Sequence, residues 1–568
     1  SVDGRKVFPL TPPSAFGASA FDEGDVTGYL ALAELPRSQS VTDPFGYASG
    51  ALAWDLELAP GAERAVDVVV PLHPKSRPDF GAGAFDRALE GSSREWREKL
   101  DRVSVTLPES AQTMARTVKT ALAHVLINRD RAAIQPGSRS YERSWIRDGA
   151  LTSAALLRLG HAKAVREFIE WFAPYQYESG KIPCCVDARG ADPVPENDSH
   201  GEFLFLVAEY GRFTRDRELL SKVWSRVEKT AAYIDRLRQA RRTPEYRRPE
   251  KLAFFGLLPE SISHEGYSAK PVHSYWDDFF ALKGLKDAAE IAAMLGREEE
   301  RRRWAATAEE FRRDLLASIG RTISQRRIDY IPGSVELADF DATSTTIALD
   351  PGGELAQLPR RELVRTFERY YEEFQRRKRP ETAWDAYTPY EIRTVGTFVR
   401  LGWRERAHEL LDFFLDSRRP AGWNQWAEVV GREPRRPRFI GDMPHTWVAS
   451  DYVRSFLDFF AYERESDRSL VLAAGIAESW ISAPGGVAVR GLKTRYGALD
   501  YSLVTSEGGI RMNLSGDLAV PPGGLVLSLP AKIATGDSKA TVNGRAVAAV
   551  GGEVVIRELP ARVLWIAR

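Results

Sequence analysis

The chain has 568 residues, too many for one small core, so two to four structural units are expected. Lys+Arg and Asp+Glu balance at 79 each, which gives no support for a nucleic-acid partner, since such proteins carry a basic excess. No apolar run approaches the roughly 20 residues of a membrane-spanning helix, so no membrane role is expected.

Up to about residue 74 the chain carries short alternating apolar runs, such as Gly50-Ala51-Leu52-Ala53-Trp54 and Ala65-Val66-Asp67-Val68-Val69-Val70. Gly and Pro separate them, and this reads as strands of a β-sandwich. From about 93 to 464 the period becomes helical. Helices are predicted over 111–128, 147–159, 161–172, 201–210, 219–238, 275–295, 298–319, 360–374, 388–401, 405–415 and 446–460. After about 469 strand texture returns at Val487-Ala488-Val489, Leu525-Val526-Leu527, Ala540-Thr541-Val542 and Val563-Leu564-Trp565-Ile566. Pro521-Pro522-Gly523-Gly524 and Val542-Asn543-Gly544 supply the turns.

This order predicts a mainly α protein in which antiparallel helix pairs close into a toroidal barrel with flanking β-sandwich domains. The expected boundaries are 1–92, 93–468 and 469–568. An open solenoid is the rival, but no fixed-period repeat is visible. The two cysteines, Cys184 and Cys185, are neighbours, which excludes a disulfide framework. The chain opens at Ser1 without a leader, so a removed signal or upstream domain is possible, and the location is left open between periplasmic or secreted and cytoplasmic.

Three segments carry chemistry. The first, Ser144-Trp145-Ile146-Arg147-Asp148-Gly149-Ala150, runs straight into the apolar start of a helix. A carboxylate and a guanidinium can each take two sugar hydroxyls, and an indole offers a stacking face. Helix capping by Asp148 is the plainer account. The second segment holds Glu260, Glu265, Asp277 and Asp278 in one Pro- and Gly-punctuated loop leading into a helix, with Tyr267, Tyr275 and Trp276 alongside. Cleaving a glycoside needs a carboxylic acid to protonate the leaving oxygen, and such a loop would raise its pKa by desolvation. The third, Gly422-Trp423-Asn424-Gln425-Trp426-Ala427-Glu428, precedes an Arg- and Pro-rich loop and then Gly441-Asp442-Met443-Pro444-His445.

The Trp145-x-Arg147-Asp148 segment resembles the one that opens the second barrel helix in glucoamylase-like six-hairpin glycosidases, glycoside hydrolase family 15 and its relatives. The resemblance, weaker outside this motif, covers roughly 111–460. It implies an (α/α)6 barrel and an exo-acting, inverting hydrolase of oligo- or polysaccharides. It also implies that Arg147 and Asp148 grip the innermost sugar, that Glu265 is the general acid and that Glu428 is the general base. Trp145, Trp276, Trp423 and Trp426 would complete the sugar contacts. A trehalase-like registration would instead make Asp277 the acid, and Glu260 is a third candidate. The family's usual acidic or Gln residue after the base is Val429 here, and Met443-Pro444-His445 departs from the usual helix entry, so specificity is expected to have drifted.

The remaining signals are weaker. Asp198 or Ser199 reads as a helix cap, with Glu202 one turn in. Asp339 and Asp341 alternate, but without the Gly and distal Glu of a calcium loop they suggest a cap or subsite. The eight His never pair at ligand spacing and no nucleotide-binding Gly motif precedes a helix, so neither a metal nor a cofactor is expected. Arg435, Arg436 and Arg438 could hold phosphate if the barrel were a glycoside phosphorylase, and a non-catalytic glycan-binding protein would need only the aromatics.

Overall fold

The computed structural model describes residues 6–73, 79–81, 83–436, 439–530 and 539–566. The chain divides into two compact units, 1–99 and 100–568.

In the first unit, Phe8–Pro9 pairs with Val68–Val69 and Ala15–Ser19 pairs with Ser49–Ala53, both antiparallel. Helix α1 (Val26–Ala31) is capped by Asp25, which accepts from the Thr27 and Gly28 amides. Helix α2 (Ala84–Leu100) starts nine residues before the helical texture was expected at about 93. The described residues thus form two short strand pairs rather than the expected sandwich. The side chains of Gly50, Ala51 and Ala53 offer little apolar area to bury between sheets.

The second unit is built on twelve helices: α3 (Gln112–Asn128), α4 (Ile146–Arg158), α5 (Ala162–Phe172), α6 (Asp198–Thr214), α7 (Arg217–Gln239), α8 (Tyr275–Leu295), α9 (Glu298–Arg326), α10 (Ala342–Leu349), α11 (Arg360–Lys378), α12 (Arg393–Arg400), α13 (Arg404–Asp416) and α14 (Thr446–Leu457). Helices α4, α6, α8, α10, α12 and α14 touch in that order, and α14 returns to α4. Helices α5, α7, α9, α11 and α13 each follow and flank one of them, and α3 flanks α14. The inner helices are buried nearly all round, whereas α5 or α11 shows only one apolar stripe. Small residues allow the inner contacts. A Cβ at Gly201 of α6 would lie 2.0 Å from the Phe280 carbonyl oxygen of α8, and one at Gly284 would lie 2.8 Å from Gly201 Cα. Of the twelve, α10 escaped the sequence reading, because its Thr343-Ser344-Thr345-Thr346 run is weak in helix propensity and only eight residues long.

The predicted C-terminal strands fall inside two sheets. A four-stranded sheet orders Ala461–Arg464, Ser469–Leu472, Leu525–Ser528 and Glu553–Ile556. A seven-stranded one includes Val487–Thr494, Gly497–Ser506, Gly509–Ser515 and Ala561–Ile566, and takes Ser104–Thr106 as its edge. That pairing ties the segment before α3 to the end of the chain. A further short helix, α15 (Glu478–Ser482), lies between the sheets in sequence. No helix among the described residues is long and apolar enough to cross a membrane.

Candidate active site

The loop into α4 makes one wall. Strand Ser144–Trp145 pairs with Cys185–Asp187, and the Ile146 amide donates to the Cys184 carbonyl at 2.9 Å, which fixes Trp145 at the mouth of the helix. The Trp145 indole N–H donates to Glu265 Oε1 at 3.1 Å. Glu265 is exposed and takes a left-handed backbone, φ 66°, a strained state that clusters at functional sites.

The facing wall carries Glu428. The Tyr390 hydroxyl donates to its Oε1 at 3.0 Å and the Tyr141 hydroxyl to its Oε2. Asp442 fixes Tyr141 by accepting from the Arg139, Ser140 and Tyr141 amides at 2.8, 3.2 and 3.0 Å. Gly441 has φ +66°, and a Cβ there would come within 2.6 Å of Glu428 Oε2, so only glycine lets the carboxylate lie against this turn. Tyr141 packs edge-on against Trp145 with ring centroids 5.8 Å apart. An indole and a phenol therefore link the two carboxylates. Burial pushes the Glu428 carboxyl up, Glu265 adds to that, and the two tyrosines oppose it. The upward shift expected of the acid loop is found at Asp277 and Asp278, which burial raises, and Glu428 is raised as well.

Arg147 and Asp148 form the floor, both buried. Arg147 donates to Glu196 Oε2 at 2.7 Å and Asp198 Oδ2 at 3.4 Å, and lies over the Trp447 ring at 5.2 Å. Its Nη1 is thus bonded to protein carboxylates, while its buried Nε has no hydrogen-bond partner. Asp148 does not cap α4. Burial pushes its carboxyl up to about 8, Arg147 opposes this, and Glu265 and Glu428 both add to it. Glu196 rises to about 7 by burial and the nearby Asp198 and Glu265, against Arg147.

The other nominated residues divide. Asp277 is buried and accepts from Ser261 Oγ at 2.5 Å and Ser263 Oγ at 2.7 Å, so both its oxygens are occupied in the wall. Asp278 accepts from the Leu258 amide. Glu260 pairs with Arg241 at 2.6 Å. Tyr275 points between helices, bonding Ser318 and Thr322 at 2.9 Å, and Tyr267 donates to Asp339 at 2.8 Å. Trp276 offers no sugar platform: it is fully buried, donates to Asp198 Oδ2 at 2.8 Å, and is covered by the stacked ring of His264 at 4.8 Å. Trp426 is 2% exposed, donates to the Phe414 carbonyl at 2.6 Å and belongs to the core. Trp423 is 59% exposed. Asp198 is not a cap; the position belongs to Asn197, and Asp198 faces Arg147 and Trp276. Asp341 does cap α10, accepting from the Ser344 amide at 2.8 Å. Arg435 and Arg436 are exposed, and Arg438 lies outside the described residues.

Tyr141, Tyr390, Glu196 and His264 were not singled out by sequence. His264 is held neutral, its pKa pushed down to about 4 by burial and Arg147. Also unforeseen, the thiols of Cys184 and Cys185 and an Asp192 oxygen lie within 4.8 Å of one another, a reach suited to a metal, but Asp192 is paired with Arg143 at 2.8 Å. Both cysteines are free and buried.

No family model matches the sequence, and no curated protein does. In fold the chain is similar to an α-L-rhamnosidase from Dictyoglumus thermophilum, with TM-score 0.55 and 11% identity over 82% of this chain and 50% of that one. It is likewise similar to the Streptomyces avermitilis α-L-rhamnosidase solved with L-rhamnose, with TM-score 0.53 and 12% identity over 82% of this chain and 42% of that one. The chain therefore spans half or less of these proteins, and at such identity the likeness concerns fold alone.

Proposed function

We propose that the chain carries the (α/α)6 barrel of a six-hairpin glycoside hydrolase, exo-acting and inverting on an oligo- or polysaccharide, with Glu265 as general acid and Glu428 as general base. The observation that carries this reading is the linkage Glu265–Trp145–Tyr141–Glu428 above a floor of buried carboxyl groups. Glu265 is the exposed member, free to reach a leaving-group oxygen. Glu428, with two phenols donating to it, holds an attacking water and takes its proton. Inversion requires the carboxylates to stand about 6.5–9.5 Å apart, with water on the face opposite the leaving group. The fold likeness to two α-L-rhamnosidases makes α-L-rhamnosides a natural member of the first substrate panel.

The test is a glycoside panel followed by proton NMR without added phosphate. Turnover releasing first the anomer opposite to that of the substrate supports the reading. Retained configuration removes inversion, and turnover only with phosphate moves the chain to the phosphorylases.

A further inference from the structure

At the far end of the inner helices lies a second cavity of about 490 Å³, within the size range of small-molecule sites. Arg212 in its wall follows Asp198 by fourteen residues on α6, which places the cavity roughly 20 Å along the helix from Asp198. Eight basic and four acidic side chains line it. The floor holds Arg212 and Lys283, both buried, which share the Asp287 carboxylate, and Arg212 also pairs with Glu209 at 2.9 Å and Glu290 at 2.5 Å, so the floor is neutralised. Lys286 is paired with Glu354 at 2.8 Å and Glu465 at 2.6 Å. Two cations at the cavity differ: among the described residues Arg468 has no side-chain hydrogen bond or carboxylate ion pair, and Arg215 donates only to the Arg495 carbonyl, at 3.0 Å.

The acids nearby report the sign of the local field. Burial alone would raise Glu290, yet Arg212 and Arg495 hold it down at about 2. Burial would likewise raise Glu463, and Arg495 and Arg158 hold it below the usual carboxylate range. Lys283 is pushed down by burial and by the neighbouring Arg212. A void with this lining favours a solute that brings negative charge, and guanidinium forks match phosphate oxygens.

We propose that this cavity binds a small phosphate-bearing anion, independently of the catalytic pocket. Arg215 and Arg468, with no carboxylate to satisfy them, close on the phosphate.

Calorimetric titration of the full chain with inorganic pyrophosphate at constant ionic strength tests this. One pyrophosphate per chain is expected, with submillimolar affinity. It should weaken tenfold or more in the Arg215→Ala/Arg468→Ala double variant and persist in Glu428→Gln. Arg215 and Arg468 are exposed, so the double variant should keep the wild-type far-UV circular dichroism. No saturable heat, or equal affinity in the double variant, would overturn the proposal; so would binding lost in Glu428→Gln, which would place the anion in the catalytic pocket.

Discussion

The two ends of the inner helices handle buried charge in opposite ways. At the N-terminal end Asp148, Glu196, Asp198 and Glu202 gather around the guanidinium of Arg147, and burial pushes Asp148, Glu196 and Glu202 upward. At the far end arginines dominate: Arg400 and Arg454 both pair with Asp350, Arg158 and Arg400 with Asp458. There burial would also raise Asp350, but the arginines hold it far below its ordinary value. The far-end carboxylates Asp350 and Asp458 are neutralised, and their ion pairs clamp the helices. The near end is left short of cations, so burial holds Asp148, Glu196 and Glu202 above the ordinary carboxylate range.

The contrast is broken most severely by removing the cation at the centre of the near-end carboxylates. Arg147→Ala leaves Glu196 and Asp198 buried without it, and should cost about 3–5 kcal/mol of stability together with all measurable turnover. Urea denaturation followed by tryptophan fluorescence checks this; an unchanged midpoint would mean the guanidinium is not the counter-ion of the floor. At the far end Asp350→Asn should cost less, about 1–2 kcal/mol at neutral pH, since Asp350 is partly exposed. Its folded-state pKa is depressed, so the loss is present above about pH 4 and fades as pH falls below it.

The pH dependence at the near end should run the other way. Asp148 is raised from its ordinary value to about 8 in the folded state, so the stability it contributes is full below about pH 4 and is lost as pH rises through about 8. Thermal melts of Asp148→Asn should therefore lack part of the wild-type decline between those values, a difference of a few degrees. A parallel pair of Tm curves would show that Asp148 does not titrate there.

The helices were legible in sequence because their apolar period survives burial, and α8 starts and stops where that period predicts, with Gly296 in the left-handed C-cap. The site was legible only where chemistry and local sequence coincide. Trp145, Glu265 and Glu428 stand in loops at helix mouths, and the structure brings them together. Trp276 and Trp426 failed as sugar contacts because sequence gives a tryptophan's position but not the side its ring takes; both turn into the core. Tyr141 and Tyr390 were missed because their role depends on contacts to Glu428 from 287 and 38 residues away. The pairing of Arg147 with Glu196 and Asp198 was missed because these partners lie about 50 residues on.

The smallest expected effect is the sharpest probe of Glu428's surroundings. Tyr390→Phe removes a hydrogen bond that favours the ionised carboxylate, so the already raised pKa of Glu428 should rise further. Since the base must be ionised, the acid limb of the rate profile should move to higher pH by about half a unit to one unit, with at most a tenfold loss at the optimum. A limb that stays in place would detach Glu428 from that limb.

The most direct test of the acid–base pair compares Glu265→Gln and Glu428→Gln on a natural glycoside and on an aryl glycoside whose leaving group needs little protonation. Glu265→Gln should lose about 10²–10⁴-fold on the natural substrate but regain most of it on the aryl one, whereas Glu428→Gln should be inactive on both. Rescue in Glu428→Gln rather than Glu265→Gln would exchange the two roles, and near-wild-type turnover in both variants would contradict the account.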